Sequence, residues 1–202
     1  MYSPKFNQVA DRGILIEAMQ AYSFAILFGP QGETPIATHL PLIVKEEGPH
    51  GLLEGHFAVA NRHWQSLAGC ETLVVFSGPH SYVSPTLYVD PLSVPTWNYI
   101  AIHAHGTLSL VEDEASKDAL LKDLIQIHEP AYAEKWRSMP ENFRRSMLAG
   151  IVGFRIPISR IEGKFKISQN RDPEERRNVH AAHAAGTPDQ QALAAWMTRL
   201  IG

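Results

Sequence analysis

Cysteine and long hydrophobic runs are the two features that this chain has least of. Cys70 is the single cysteine, so no disulfide can form within the chain and no cysteine-based zinc framework exists. No apolar run approaches the ~18 residues of a membrane span, and the first residues lack the apolar core of a signal peptide. We therefore expect a cytoplasmic protein that does not enter a membrane and holds no metal ion.

An excess of positive charge is also missing. Lys and Arg number 18 against 21 Asp and Glu, which gives a net charge of −3. A broad basic surface for duplex DNA is therefore not expected. The hydrophobic fraction of 45% and the charged fraction of 19% are those of an ordinary globular protein. A length of 202 residues suits one large domain, or one domain with a helical extension.

Common cofactor and catalytic motifs are absent as well. No G-x-G-x-x-G loop is present, so a Rossmann domain is not predicted, and there is no G-x-S-x-G motif. His103 and His105 face the same side of a predicted strand, but zinc usually needs at least three protein ligands. We interpret the pair as lining a pocket or an interface, and we assign no catalytic residue.

Short β-type runs dominate the pattern of the chain. Connections of hairpin length, such as 29–33, separate several of them. Helices are predicted after Asp11, over 112–129 and over 140–150. The pattern indicates a mainly β (α+β) fold, a barrel or sandwich with flanking helices. The predicted strands are 24–28, 35–44, 52–57, 72–76, 98–111 and a pair or one bent strand within 151–168.

The segment 77–97 lacks periodicity and contains four prolines. Long irregular segments in compact domains are usually functional or disordered. Tyr82, Tyr88 and Trp97 argue against disorder, because disordered segments are poor in aromatic residues. We therefore predict an ordered binding loop.

Beyond Arg171 the composition changes. Asp172-Pro173 and Thr187-Pro188 each place a capping residue before a proline at the first helical position. We predict a main domain over 1–171 and a helical C-terminal arm over 172–202.

Two lysines in the stretch 162–171 offer a position for an anion. Alternation along a strand places Lys164, Lys166 and Ser168 on one face. Two ammonium groups and a hydroxyl in line could bind a phosphate or another anion. A strand face in contact with solvent would give the same pattern.

A helix cap in the stretch 54–67 offers a second position for an anion. Asn61 can cap a short helix whose first N–H groups attract anions, and Arg62 lies beside that cap. His56 leaves the preceding strand. Together with the aromatic loop, the two positions indicate a flat, phosphorylated ligand.

Six short motifs stand out along the chain: MYSPKF (1–6), ATHLPL (37–42), GHFAVANRHW (55–64), FSGPHSYVSPTLY (76–88), VPTWNY (94–99) and GKFKISQNR (163–171). In this order they resemble the PaiB family of FMN-binding negative transcriptional regulators. The resemblance implies an FMN-binding split β-barrel of the Greek-key type with flanking helices. It also implies a homodimer with FMN in grooves at the subunit interface, and NAD(P)H or a small-molecule substrate as a further partner.

The resemblance also implies which residues surround the flavin. It places Thr38 and His39 nearest the isoalloxazine ring. The family commonly has proline where this chain has Arg62; a cation there could strengthen phosphate binding or point to solvent. The full set of implied FMN contacts is Thr38, His39, His56, Asn61, Arg62, Trp64, Tyr82, Ser84, Trp97, Asn98, Lys164 and Gln169.

The function that follows is a flavin-dependent redox role or a redox-linked role in transcriptional regulation, with FMN-dependent oxidoreductase activity as one form of it. Two alternatives stay open. The first is a non-catalytic regulator that acts through a partner protein or, less readily, through DNA bound at RDPEERR (171–177). The second is a haem-binding or haem-degrading split barrel with His103 or His105 as axial ligand.

Overall fold

Ten β-strands and seven α-helices form within the residues that the computed structural model describes, 1–31 and 34–201. The predicted turn 29–33 includes residues 32 and 33, which lie outside the described residues. The strands are β1 (Gln8–Val9), β2 (Phe24–Gln31), β3 (Thr34–Pro41), β4 (Ile43–Lys45), β5 (Leu52–Ala58), β6 (Glu71–Val83), β7 (Thr96–Thr107), β8 (Ser109–Val111), β9 (Ile151–Pro157) and β10 (Arg160–Lys166). The helices are α1 (Arg12–Ala21), α2 (His63–Leu67), α3 (Glu114–His128), α4 (Ala133–Ser138), α5 (Glu141–Ala149), α6 (Pro173–Ala184) and α7 (Pro188–Ile201).

The contacts between residues divide the chain into two compact units. The first unit contains Met1–Leu15, Ser77–His103 and Glu162–Gly202, and the second contains Ile16–Phe76 and Ala104–Ile161. The long strands β6 and β7 contribute residues to both. Among the described residues, no helix has the length and apolar character that crossing a bilayer requires.

The second unit contains a four-stranded antiparallel sheet in the order β4-β5-β9-β8. Strand β2 pairs antiparallel with β3 and with β6. Apolar side chains recur along β2, β5, β6 and β9, and each of these strands buries one face, whereas β3 has no fully buried residue. The side chains with no exposed surface include Leu27, Leu53, Phe57, Val74 and Phe154.

In the first unit, β1 pairs antiparallel with β10, and the strand order continues to β7 and β6. The helices α6 and α7 contact one face of these strands: the Phe165 ring packs edge-on against Trp196 of α7, with 5.2 Å between centroids. The opposite face is more exposed. Successive residues of β7 therefore alternate between a helix-covered side and a partly open side.

Three predicted segments differ from the structure, because strands continue further, or end sooner, than the local sequence suggests. The predicted loop 77–97 is wrong in its first part: β6 continues through Val83, since Ser81 and Val83 stay buried while His80 and Tyr82 stay exposed beyond Pro79. The predicted strands 35–44 and 98–111 are each two strands, broken at Leu42 and Leu108.

The two C-terminal helices are confirmed, and both begin as the capping residues predict. Asp172 Oδ1 accepts the N–H groups of Glu174 and Glu175 at 2.9 Å each. At the start of α7, Thr187 Oγ1 accepts the Gln190 N–H at 3.4 Å, and the Thr187 N–H donates to Gln190 Oε1 at 2.8 Å. The division of the chain at residue 171 stays a prediction.

Candidate functional site

Large aromatic side chains are exposed on the open side of β6 and β7. Trp97 is 53% exposed and Tyr82 is 49% exposed. The Trp97 ring centroid lies 6.1 Å from that of Tyr82, in an edge-on arrangement, and 6.3 Å from that of His80. We call these three residues the aromatic surface. Contiguous exposed rings of this kind are typical of sites that bind a ligand or a protein.

Two lysines lie on β10 of the same unit. Lys164 is only 9% exposed; its ammonium donates to the Tyr2 carbonyl at 3.1 Å and lies 5.2 Å from the centroid of the Tyr99 ring. Lys166 donates to the Thr96 hydroxyl. Within the described residues, neither ammonium has a carboxylate partner.

A third cation lies close to the two lysines. Burial lowers the pKa of Lys166, and the positive charges of Lys164 and Arg171 lower it further. The Arg171 guanidinium stacks on the Tyr88 ring at 3.7 Å and reaches Glu175 at 3.5 Å. We call Lys164, Lys166 and Arg171 the cation cluster. Such a cluster of like charges favours an anion, because an anion relieves their mutual repulsion.

Asn98 and Trp97 are neighbours in β7 that point to opposite sides. Asn98 has no exposed surface, and its amide nitrogen donates to Ser168 Oγ at 3.0 Å. The structure therefore does not bring Asn98 to the aromatic surface. The prediction that Ser168 shares a face with the lysines is wrong, because β10 ends at Lys166 and Ser168 has a φ of 66°.

Gln169 and Ser84 use their polar atoms to hold the local chain. Gln169 Oε1 accepts the Ile167 N–H at 2.8 Å, and its amide nitrogen donates to the Phe165 carbonyl. Ser84 Oγ accepts the Thr86 N–H at 3.2 Å and so caps a single helical turn.

In the second unit, Thr38 and Asn61 come together around His63, which the sequence analysis missed. The Thr38 hydroxyl lies 2.8 Å from His63 Nδ1 and 3.4 Å from the Asn61 amide nitrogen. Asn61 Oδ1 accepts the His63 N–H at 3.2 Å. Burial lowers the pKa of His63, while the Gly29 backbone opposes this effect. The one signal for His63 was its place within the motif GHFAVANRHW.

The other predicted residues of the second unit are held in different ways. His39 is exposed and stacks on Phe24, with 6.2 Å between centroids. His56 is half-buried, and burial lowers its pKa. The Trp64 indole N–H donates to the Val59 carbonyl at 3.2 Å. Arg62 is exposed and precedes α2.

His103 and His105 of β7 are the residues that a metal site or a haem would use. His105 Nε2 lies 3.0 Å from Arg160 Nη2, and because the guanidinium can only donate, the imidazole accepts. No group of three or more His, Cys, Asp or Glu side chains that could hold a metal ion occurs in the described part of the chain.

Comparison with known proteins gives the family. The family described as "Putative FMN-binding domain" matches residues 1–160. The protease synthase and sporulation protein PAI 2 of Bacillus subtilis is 36% identical over 185 residues, which is 89% of this chain and 87% of that protein. This chain belongs to the PaiB family of FMN-binding proteins. FMN is its cofactor, as the motifs predicted.

Solved structures agree with the fold predicted for a PaiB-family protein. The flavocytochrome Anf3 of Azotobacter vinelandii matches with a TM-score of 0.65 at 16% identity, over 79% of this chain and 69% of that chain. A FAD- and haem-binding protein of Mycobacterium smegmatis matches with a TM-score of 0.62 at 18% identity, over 90% and 81%. The predicted split β-barrel with flanking helices is thereby confirmed. At these identities the likeness shows the fold alone.

Proposed function

We propose that this PaiB-family protein is a cytoplasmic, FMN-dependent redox protein, and that its cation cluster binds the FMN phosphate. One observation carries the proposal: the ammonium groups of Lys164 and Lys166 have neutral oxygens as partners, the Tyr2 carbonyl and the Thr96 hydroxyl, and no carboxylate in the described chain. The FMN phosphate carries close to two negative charges at neutral pH. Charge-assisted hydrogen bonds from these groups would bind it strongly.

The aromatic surface supports the other end of the ligand. The isoalloxazine ring of FMN is flat and largely apolar, and Tyr82 and Trp97 present rings to solvent. Stacking on such rings buries apolar area and excludes water. The contacts predicted for Thr38, His39 and His56 from the family resemblance remain predictions.

FMN supplies the redox chemistry, and the chain's residues bind and orient it. Lys166 and Lys164 would fix the phosphate, and the rings of the aromatic surface would restrict access of water to the flavin. NAD(P)H or another small molecule would be the electron donor. Regulation of transcription would then follow from the oxidation state of the flavin.

Self-association belongs to the same proposal. Tyr2, Tyr82 and Trp97 are 85%, 49% and 53% exposed within the first unit. Large aromatic side chains are enriched in protein interfaces, so their exposure supports a homodimer. Sedimentation equilibrium should give twice the mass of the chain, and a monomer at all concentrations and flavin loadings would refute the dimer.

The absorption spectrum of the purified protein tests the redox proposal first. Flavin bands that bleach on anaerobic addition of NADH or NADPH support it. Bound flavin that no reduced nicotinamide and no artificial reductant can reduce would refute a redox role. A haem Soret band in place of the flavin bands would favour the haem-binding alternative, whose candidate ligand His105 accepts a hydrogen bond from Arg160.

Direct DNA binding is a second candidate function, and one observation favours it. Glu175 is 4% exposed; its carboxylate accepts the Val89 N–H at 3.0 Å, so it faces the interior. Its negative charge therefore offsets the positive charge of the exposed Arg177 less than the sequence suggests. A gel-shift titration with duplex DNA at increasing salt tests this: binding should weaken steeply with salt, and no binding at low salt would exclude it.

A further inference from the structure

Asn98 lies in a buried polar cluster beneath α6. Its amide nitrogen donates to Ser168 Oγ at 3.0 Å, and the Ser168 hydroxyl lies 3.2 Å from Asn98 Oδ1. The same amide nitrogen lies 3.5 Å from Nε2 of His183, which is 1% exposed. Polar groups are costly to bury. A polar cluster on the side of β7 that also buries Ile100 and Ile102 therefore indicates a task other than filling space.

The task is visible in the backbone of Ser168. Its φ of 66° is the single positive value outside glycine in the described residues. L-residues avoid this region, and they keep it only where surrounding contacts hold them there. The bond from Asn98 is such a contact. The Ser168 carbonyl in turn accepts the Arg171 N–H at 3.0 Å, which closes a turn over residues 168–171.

This turn connects two members of the cation cluster. Lys166 is the last residue of β10, and Arg171 closes the turn before α6 begins. The distance and direction between their charged groups therefore depend on the path of residues 167–170. Gln169 braces the same path through the Ile167 N–H at 2.8 Å. A turn of different φ would change the distance between the charged groups of Lys166 and Arg171.

We propose that Asn98 is a positioning residue for the FMN phosphate: it never touches the ligand, and through Ser168 it holds the turn that connects Lys166 to Arg171. This inference rests on the proposed function, in which the cation cluster binds the phosphate. His183 supports Asn98 from α6 as a neutral acceptor. The family resemblance implies that Asn98 contacts FMN, whereas in this proposal it acts from the side of the sheet opposite to the lysines.

The test is the ratio of FMN affinity to riboflavin affinity, since the two ligands differ by the phosphate alone. Asn98→Ala should weaken FMN about tenfold, the effect of losing one well-placed hydrogen bond, and should leave riboflavin affinity within about twofold. The ³¹P resonance of bound FMN should also shift, because the cations around the phosphate are displaced. A purely structural role would weaken both ligands together.

Two further variants keep the test decisive. Ile100→Val alters the same covered side of β7, where Ile100 is 2% exposed, and should leave the ratio unchanged. Ser168→Gly removes the hydroxyl while allowing a positive φ. It should lower the ratio of FMN affinity to riboflavin affinity as Asn98→Ala does. It also tests the inference if Asn98→Ala does not fold. If the ratio of FMN affinity to riboflavin affinity is unchanged in both Asn98→Ala and Ser168→Gly, the inference is overturned.

The outcome for the unaltered protein separates this inference from the proposed function. If it binds FMN and riboflavin equally well, the phosphate assignment of the cation cluster fails. If it strongly prefers FMN and the Asn98 and Ser168 variants keep that preference, the cation cluster stands and the positioning role of Asn98 alone is wrong.

Discussion

The Lys164 ammonium lies 5.2 Å from the centroid of the Tyr99 ring. The ammonium also donates a hydrogen bond to the Tyr2 carbonyl at 3.1 Å, and Lys164 is only 9% exposed. A ring face and a carbonyl dipole stabilise a cation less than a carboxylate does. An anion would therefore stabilise the Lys164 ammonium further, and the same holds for Lys166, whose ammonium donates to the Thr96 hydroxyl.

As the pH rises, FMN affinity should begin to fall at a lower pH than it would at a site with an ordinary lysine. Burial and neighbouring cations lower the pKa of Lys166, so its ammonium loses the proton at a lower pH than a free lysine does. Lys166→Arg should move this loss to higher pH, because a guanidinium stays charged. Calorimetric titrations of FMN from pH 7 upward measure the effect, with riboflavin as control. Identical pH profiles for FMN and riboflavin would contradict it.

The free energy of unfolding should decrease as the pH falls from about 6.5. Burial lowers the pKa of His56, His63 and His183. The unfolded chain therefore binds protons first, and each histidine contributes at most about 1.4 kcal/mol per pH unit. Urea unfolding at pH 7 and pH 5 measures the loss, and His183→Gln should reduce it. Equal or greater stability at pH 5 would count against this account.

Trp97→Ala should weaken FMN and riboflavin by the same factor, about tenfold for one stacked ring. Because Trp97 is 53% exposed, the free energy of unfolding should change by no more than about 0.5 kcal/mol. Fluorescence titration with both flavins gives the comparison. Phe143→Ala, which removes an exposed ring from α5, serves as the control. A loss confined to FMN would contradict stacking on the isoalloxazine.

Glu54→Ala should destabilise the second unit without altering flavin selectivity. The Glu54 carboxylate is 2% exposed and contacts Lys45 at 2.7 Å and Arg155 at 2.6 Å. Its removal takes this carboxylate from Arg155, while Lys45 keeps Asp123 at 2.8 Å, at a cost of about 3 kcal/mol. Glu54→Gln keeps hydrogen-bonding atoms and should cost less. Urea unfolding measures the free energy of unfolding of both variants. A loss of less than about 0.5 kcal/mol for Glu54→Ala, which is typical of a surface substitution, would refute the stabilising role of Glu54.

Local signals in the sequence predicted most helices and most strands, because those signals are short-range. Asp172 before Pro173 is observed as an N-cap, as predicted. Such caps act over three residues. The FMN family was likewise recognisable, because its motifs are contiguous stretches.

Features that depend on contacts between residues far apart in the chain could not be predicted from local sequence signals. Strand β6 continues past Pro79 because its neighbours in the sheet hold it, which periodicity before the proline does not reveal. The partner of Asn98 is Ser168, 70 residues away, and the positive φ of Ser168 depends on that contact. His63 was missed because its importance lies in its distance to Thr38, 25 residues earlier.

The most direct test of the central claim is the binding of FMN and riboflavin to the apoprotein and to its Lys164→Ala and Lys166→Ala variants, measured by calorimetry. The account predicts that the unaltered protein binds FMN far more tightly than riboflavin, and that each variant loses about tenfold or more in FMN affinity while riboflavin binding stays nearly constant. Equal losses for both ligands, or no loss of FMN affinity, would contradict it.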